Sequence, residues 1–261
     1  MAAIDATFNR APLGAGAIIG DSFSIFFSKF GKILALAFLP TLVGLVISGM
    51  LSGWGATLGL EDPDFSSGAA STGFVLGIVI SMAFYGLTIA LLVLLAYDAK
   101  QGRSRPLGEY FAPALRSIIP IVVLALVVGI LATLGFMALV IPGIWVYAVF
   151  AVVYPAVAIE GVGFGGLKRS ASLTKEYRWP IAGVIVVIGI CSFVLNLAAG
   201  FGGAMLFGIT GEGMIAVSVL VNALIYSITY GLSGISIALI YARLREIKEG
   251  VSVSDLAAVF D

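Results

Sequence analysis

Residues 118–160 read IIPIVVLALVVGILATLGFMALVIPGIWVYAVFAVVYPAVAIE, and the only charged side chain in this run is Glu160 at its end. A helix crosses a bilayer with about 20 apolar residues, so the run is about twice as long as one span needs. Pro142 and Gly143 stand near its middle. The residue before a proline is biased away from helix, and glycine tolerates a tight turn. We therefore predict a hairpin of two transmembrane helices that turns at Pro142–Gly143.

Apolar runs of similar length recur on both sides of this hairpin. Hydrophobic residues make up 61% of the 261-residue chain and charged residues 11%, whereas soluble domains carry about a quarter charged residues. The predicted spans are 33–51, 74–97, 118–141, 142–159, 181–207 and 214–241. The sequence therefore predicts an all-α, polytopic membrane protein with six transmembrane helices, forming a single membrane domain over residues 1–261.

The basic residues predict the orientation of these spans. All 14 lysines and arginines lie before the first span, in the loops after the second and fourth spans, or in the tail. The charged side chains in the alternate loops are all acidic, namely Glu61, Asp62, Asp64 and Glu212. Basic residues near the ends of spans stay in the cytoplasm. We therefore expect both termini to be cytoplasmic.

Short amphipathic segments precede the first, third and fifth spans. Their apolar residues recur at the three-to-four spacing of a helix face, and they are Ile19, Phe23, Phe26, Phe27 and Phe30, then Leu107, Tyr110, Phe111, Ala114 and Leu115, then Leu167, Ala171 and Thr174. Their basic flanks predict interfacial helices in the cytoplasmic headgroup layer.

An amphipathic helix followed by a hairpin thus occurs three times. This order predicts a parallel threefold repeat with units 12–101, 102–162 and 163–250, followed by a short cytoplasmic tail, 242–261. Residues 251–260 resemble the opening of a fourth unit.

Composition also limits the chemistry. The chain has no histidine and one cysteine, Cys191, so histidine bases, cysteine metal clusters and an internal disulfide are excluded. No charged residue lies within a predicted span, which argues against an ion-coupled pathway. No P-loop, hydrolase elbow or dinucleotide fingerprint is present. We expect no catalytic residue, metal or cofactor, and no nucleic-acid partner, because anionic lipids account better for the basic segments.

Two groups of residues are candidates for a binding site. Asn196 and Asn222 are the most polar residues within the spans, and they either hydrogen-bond between helices, for about 0.6 kcal/mol each, or line a substrate path. The second group follows the glycine-rich 163–166 segment and consists of Lys168, Arg169, Lys175 and Arg178. These cations either contact anionic lipid headgroups or flank a flexible loop, and Glu160 is expected to pair with Lys168 and Arg169.

The second hairpin also carries a family resemblance. Its motifs are Pro142-Gly143-Ile144-Trp145, Tyr154-Pro155, Ala158-Ile159-Glu160-Gly161 and Leu167-Lys168-Arg169-Ser170-Ala171-Ser172-Leu173-Thr174-Lys175. In this order and spacing, the chain resembles the membrane-domain family named after glycerophosphoryl diester phosphodiesterases. The resemblance implies a stand-alone multi-pass protein of a bacterial inner membrane. The catalytic barrel fused to some members needs histidines, which this chain lacks, so that activity is not carried over.

Two functional hypotheses follow. The leading one is a non-enzymatic membrane scaffold or accessory protein that engages anionic phospholipids and a protein partner, which is either another protein or a second copy of the chain. The alternative is a transporter or lipid-handling protein with a path between the repeats, lined by Asn196 and Asn222.

Overall fold

The computed structural model describes residues 12–210 and 215–250, without the side chains of residues 199 and 202–210. The described part contains helices and no strand. In chain order the helices are α1 (Ala15–Ser28), α2 (Phe30–Ser52), α3 (Trp54–Thr57), α4 (Gly68–Lys100), α5 (Phe111–Arg116), α6 (Ile118–Ala138), α7 (Val140–Phe150), α8 (Val153–Glu160), α9 (Gly166–Thr174), α10 (Arg178–Thr210) and α11 (Ile215–Glu249). Short 3₁₀ turns, Leu107–Tyr110 and Gly163–Gly165, precede α5 and α9.

In the part of the chain that the structure describes, six helical segments are long and apolar enough to cross a membrane, which confirms the predicted all-α, six-span fold. They are Phe30–Ser52, Gly68–Lys100, Ile118–Ala138, Val140–Glu160, Arg178–Ala198 and Ile215–Glu249. Helices α2, α4 and α11 pack together at the centre of the molecule, and residues 89–93 of α4 are wholly buried. On α6 and α10, by contrast, large apolar side chains such as Ile130 and Phe193 are exposed, as suits a lipid-facing surface.

The hairpin of the third and fourth spans is confirmed, but its predicted turn at Pro142–Gly143 is wrong. The chain turns at Leu139, whose backbone is extended, and α7 begins at Val140. Pro142 lies in the first turn of α7, where a missing N–H costs no intrahelical hydrogen bond. Gly143 serves close packing instead, since a Cβ atom there would lie 2.4 Å from the Phe136 ring on α6.

The segments that carry the basic residues meet at one end of the bundle, which we call the basic end (residues 12–32, 100–117, 160–178 and 241–250). Lys100 pairs with Asp21 at 2.9 Å, and the Lys32 Nζ donates to the Ser104 hydroxyl at 2.8 Å. Lys248 joins α11 to the carbonyl oxygen of Ser172 on α9 at 3.0 Å. Residues 53–67 lie at the opposite, acidic end. The cytoplasmic location of the basic end stays a prediction.

Helices form at all three predicted amphipathic segments, and α1 and α9 each pack one face against the rest of the bundle. Helix α1 buries Ile18, Ser22 and Phe26, whereas Phe27 and Phe30 are exposed. Helix α9 buries Gly166, Ser170, Leu173 and Thr174 rather than Leu167 and Ala171, which are half-buried. Their position in the headgroup layer and the threefold repeat stay predictions, and residues 251–260 lie outside the described part.

Candidate functional site

A cavity of about 490 Å³ lies among α4, α6, α7, α8, α10 and α11. Its wall is mainly apolar, with Val128, Phe150, Ile188 and Ile237 among the lining residues. Pockets of roughly 300–1,000 Å³ are typical of small-molecule sites. We call this the large cavity.

A second cavity, of about 330 Å³, lies among α2, α3, α4 and α11 and is here called the small cavity. Ala56 and Thr57 of α3 line it, so it extends toward the acidic end. Its wall carries several hydroxyl groups, on Thr41, Ser48, Ser52, Thr57 and Ser81. Both walls are mainly apolar, and hydroxyl-bearing residues make up a larger share of the wall of the small cavity than of the wall of the large cavity.

The cavities are neighbours across a thin wall, because Met82, Tyr85 and Tyr230 line both. The Tyr85 and Tyr230 rings meet edge to face, with centroids 4.8 Å apart and planes at 73°. Tyr154 adds a second edge-to-face contact to Tyr85, at 6.0 Å. Such pairs add about 0.5–1.5 kcal/mol beyond the area they bury, so this tyrosine group is a specific contact between spans.

Among the described residues, no aspartate, glutamate, lysine or arginine lines either cavity. Burying an ion without a counter-charge is expensive, whereas an uncharged polar group needs only hydrogen bonds. The site therefore favours an uncharged ligand. Groups of three or more cysteine, aspartate or glutamate side chains that could hold a metal ion do not occur among the described residues.

Asn196 and Asn222 do not line either cavity. The Asn196 Nδ2 donates to the Ser192 carbonyl oxygen at 2.7 Å and reaches the Thr229 hydroxyl of α11 at 3.5 Å. The buried Asn222 donates to the Ser218 carbonyl oxygen of its own helix at 2.9 Å. These contacts favour the interhelical interpretation for Asn196, while its partners Ser192 and Thr229 do line the large cavity.

At the basic end, Glu160 is the centre of an ionic cluster. Both its oxygens accept hydrogen bonds from Arg169, at 2.7 and 2.8 Å, as predicted for this pair. Tyr241 of α11 donates to the same carboxylate at 2.5 Å. Arg169 also pairs with Glu249, which Arg245 contacts at 2.8 Å. The cluster joins α8, α9 and α11, and these hydrogen bonds raise the pKa of Arg169 above its ordinary value.

The other predicted headgroup residues have different surroundings. Lys168 and Lys175 are exposed. The Arg178 guanidinium lies 4.6 Å from the centroid of the Trp145 ring, a cation–π contact between α10 and α7. Two of the four predicted cations, Arg169 and Arg178, thus make specific contacts within the protein, and the two lysines are the cations that face outward.

Residues 168–174 of α9 (KRSASLT) stabilise a break in the fourth span, a role that was not predicted from the sequence. The fourth span breaks at Ala151–Val152, between α7 and α8. The buried Ser170 hydroxyl donates to the Val149 carbonyl oxygen at 3.0 Å and accepts from the Val152 N–H at 3.3 Å. Thr174 donates to the same carbonyl oxygen at 2.9 Å. The two hydroxyls thus satisfy backbone groups freed by the break, as a helix interrupted within a membrane requires.

The partners of Asp98, a second carboxylate at the basic end, were also not predicted. Asp98, which is 2% exposed, lies in the last turn of α4 and pairs with Arg105 at 2.8 Å. The Tyr110 hydroxyl donates to it at 3.0 Å. Burial and the neighbouring Asp98 charge raise the pKa of Tyr110. The sequence signal was the position of a lone aspartate at the end of an apolar span, two residues before Lys100, the first residue of the basic segment.

Comparison of the chain with known proteins does not identify these sites. No protein-family model, curated protein or solved structure matches this chain.

Proposed function

We propose that this chain is a non-enzymatic integral membrane protein that holds an uncharged amphiphile inside its helix bundle, as a transporter or lipid-handling protein does. The observation that carries the proposal is the pair of neighbouring cavities that meet at Tyr85 and Tyr230. An apolar cavity accommodates an acyl chain, and the absence of charged residues from the lining of both cavities disfavours an ionic ligand.

The arrangement of the two cavities suits a transport path across the bundle as well as a binding pocket. The small cavity reaches α3 at the acidic end, and the large cavity reaches Ile240, beside the ionic cluster residue Tyr241. The Tyr85–Tyr230 pair stands between them. Transporters place their sites between helices near the middle of the membrane and open them alternately to each side. Rotation of one of these rings would join the cavities.

Gly189 and Gly183 of α10 provide a matched test of ligand binding. Gly189 lines the large cavity, and a Cβ atom there meets nothing within 4 Å. Gly183 has the same free space but lines neither cavity. A diazirine-tagged C16 fatty alcohol, added to protein in phosphatidylcholine nanodiscs, should label residues of the large cavity and be displaced by untagged alcohol. Gly189→Trp should reduce labelling at least about tenfold, and Gly183→Trp should leave it unchanged.

Equal labelling of the two tryptophan variants, or no saturable labelling of any cavity residue, would overturn the proposal. The mass of the labelled peptides identifies the site directly. Thermal unfolding of each variant in the same nanodiscs shows whether the tryptophan has disturbed folding instead of filling the cavity.

A second function, a scaffold or accessory protein that engages anionic phospholipids, is favoured by a different observation. Lys168 and Lys175 are exposed on and beside α9 at the basic end, and each basic residue near an anionic membrane surface contributes about 1 kcal/mol. This function includes a bacterial inner-membrane location with cytoplasmic termini and a protein partner or a second copy. It predicts that Lys168→Ala with Lys175→Ala reduces phosphatidylglycerol retained in native mass spectrometry, whereas Gly189→Trp has no effect.

A further inference from the structure

We propose that the small cavity binds the uncharged, hydroxyl-bearing headgroup of the amphiphile, while the chain occupies the large cavity. This inference rests on the proposed function and adds the chemical class of the ligand. Three features of the small cavity support it: a row of hydroxyl groups, a buried hydroxyl without a partner, and the absence of ionisable carboxylates and amines from its wall.

The hydroxyl row runs along α2, where this helix contacts α4 and then α3. The Ser48 and Ser81 hydroxyl oxygens lie 2.7 Å apart, and Ser48 also donates to the Gly77 carbonyl oxygen at 3.0 Å. One helical turn further, the Ser52 and Thr57 hydroxyls lie 3.0 Å apart. A hydroxyl combines one donor with two acceptor lone pairs, so each of these pairs retains acceptor capacity for a ligand hydroxyl. Such a row recognises hydroxyl groups and carries no net charge.

Thr41 of α2 supplies the second feature. It lines the small cavity and is 6% exposed, yet its Oγ1 has no hydrogen-bond partner among the described residues. Buried hydroxyl groups are normally hydrogen-bonded, and an exception calls for an explanation. Threonine in a helix divides between two χ1 rotamers. A rotation of this side chain presents the hydroxyl to the cavity, where the ligand headgroup provides the missing partner.

The lack of charged side chains in the wall of the small cavity determines which class of headgroup it favours. Among the described residues of the wall, the ionisable side chains are Tyr85, Tyr226 and Tyr230, which are neutral at physiological pH. A phosphate or carboxylate headgroup would lose its hydration there without gaining a counter-charge. An uncharged hydroxylated headgroup loses much less, and it forms hydrogen bonds with the row.

The same hydroxyl chemistry occurs in a free polyol and in a neutral lipid, and the position of the small cavity favours the lipid. Met82, Tyr85 and Tyr230 form both its wall and the wall of the apolar large cavity. Once rotation of a tyrosine ring joins the cavities, a ligand with a hydroxylated head and one chain fills both volumes at once. A free polyol would fill only the smaller one.

Competition against the tagged fatty alcohol tests this assignment with a series of equal chain length. Monoolein has an uncharged head with two hydroxyls, methyl oleate has an uncharged head with none, and oleate is an anion. Monoolein should displace the tagged alcohol at a concentration at least about tenfold lower than methyl oleate or oleate, because only its head can pair with the row. Free glycerol should not displace it at the concentration at which monoolein does.

Thr41→Val and Thr88→Val form the matched pair of variants. Thr88 is also buried within a span, but its hydroxyl donates to the Phe84 carbonyl oxygen at 2.8 Å and it lines neither cavity. Thr41→Val should weaken monoolein competition about fivefold, the equivalent of one hydrogen bond, and should leave methyl oleate unchanged. It should also raise the thermal midpoint of the ligand-free protein, because it removes a buried hydroxyl that has no partner.

The outcomes separate the two proposals. If cavity labelling is saturable but the three oleoyl compounds compete equally, or Thr41→Val behaves as Thr88→Val does, the headgroup site is wrong and the proposed function survives. If the cavity is not labelled at all, the proposed function itself fails. Displacement by glycerol at the monoolein concentration would assign the site to a free polyol and overturn the lipid assignment.

Discussion

The ionic cluster around Glu160 should account for much of the stability of the basic end. Glu160→Gln removes the charge that Arg169 and Tyr241 share while nearly preserving the shape of the side chain. The Glu160 side chain is 16% exposed and that of Arg169 is 27% exposed, so solvent screens the pair only partly. A hydrogen bond to a charged group contributes about 1.5–3 kcal/mol. Since glutamine retains one acceptor oxygen, we expect Glu160→Gln to lower the free energy of unfolding by about 2 kcal/mol.

The measurement is an unfolding titration with dodecyl sulfate in mixed micelles, followed by tryptophan fluorescence. Glu246→Gln is the matched control, because Glu246 pairs with Arg243 at 2.7 Å where both side chains are more exposed, at 43% and 34%. Exposed ion pairs contribute about 0–1 kcal/mol, so the control should change the free energy of unfolding by less than about 0.5 kcal/mol.

A double-mutant cycle isolates the interaction of Glu160 with Arg169. Glu160→Gln, Arg169→Gln and the double variant should give a coupling energy above about 1 kcal/mol, as residues in direct contact within one network do. A coupling energy within about 0.3 kcal/mol of zero would refute the reasoning, and so would equal losses for Glu160→Gln and Glu246→Gln. Either result would mean that α8, α9 and α11 are held together by apolar packing alone.

Three further predictions concern other parts of the chain. Gly143→Ala should lower the free energy of unfolding by about 1–3 kcal/mol, because its Cβ atom would lie 2.4 Å from the Phe136 ring. Gly183→Ala, whose Cβ atom would have nothing within 4 Å, should be neutral or stabilising. Equal effects of the two substitutions would contradict the close packing of α6 and α7. The raised pKa of Tyr110 means that folded protein holds this proton more tightly than unfolded protein, so its contribution is complete below about pH 10 and is lost as the pH rises further. Tyr110→Phe should therefore flatten the decline of thermal stability above pH 10, and an unchanged slope would count against the burial of Tyr110. In a Cys191→Ala background, a membrane-impermeant maleimide added outside intact cells should label Ser66→Cys and not Ser104→Cys, and the reverse pattern would invert the predicted orientation.

The overall fold could be predicted because it depends on the length and composition of apolar runs. A bilayer demands a helix of about 20 residues at every crossing, and each run satisfies this demand almost independently of its neighbours. The contacts that gather the basic segments at one end, such as Lys100 with Asp21, follow from the even number of crossings between them. These features need no knowledge of how the helices pack.

The turn and the break of the second hairpin could not be predicted in this way. Leu139 and Ala151–Val152 lie in sequence as apolar as the helices around them. The position of the turn depends on the approach of Gly143 to Phe136. The break is stabilised by Ser170, about twenty residues later in the chain. Both are properties of a pair of helices, and the hydropathy of one segment carries no information about them.

The cavities could not be predicted from the sequence. The lack of charge within the spans argued only against an ion-coupled pathway, and polarity alone pointed to Asn196 and Asn222, which bond to carbonyl oxygens of their own helices. Tyr85 and Tyr230 line both cavities although they lie far apart in the chain. Tyrosine within an apolar span was the available signal, because a buried phenol hydroxyl usually requires a partner or a cavity.

The structure also changes how the two functional hypotheses must be separated. Basic residues that are predicted to orient the spans also hold helices together. Arg169 does so through its ion pairs with Glu160 and Glu249. Replacing Arg169 would remove one cationic partner from each of two partly buried carboxylates, Glu160 and Glu249, which costs stability whether or not a lipid binds there. Loss of lipid after that substitution would therefore have two explanations. Lys168 and Lys175 are exposed, so their replacement should leave the free energy of unfolding unchanged. Only a loss of anionic lipid from these lysine variants, at unchanged stability, would favour the scaffold over the lipid-handling protein.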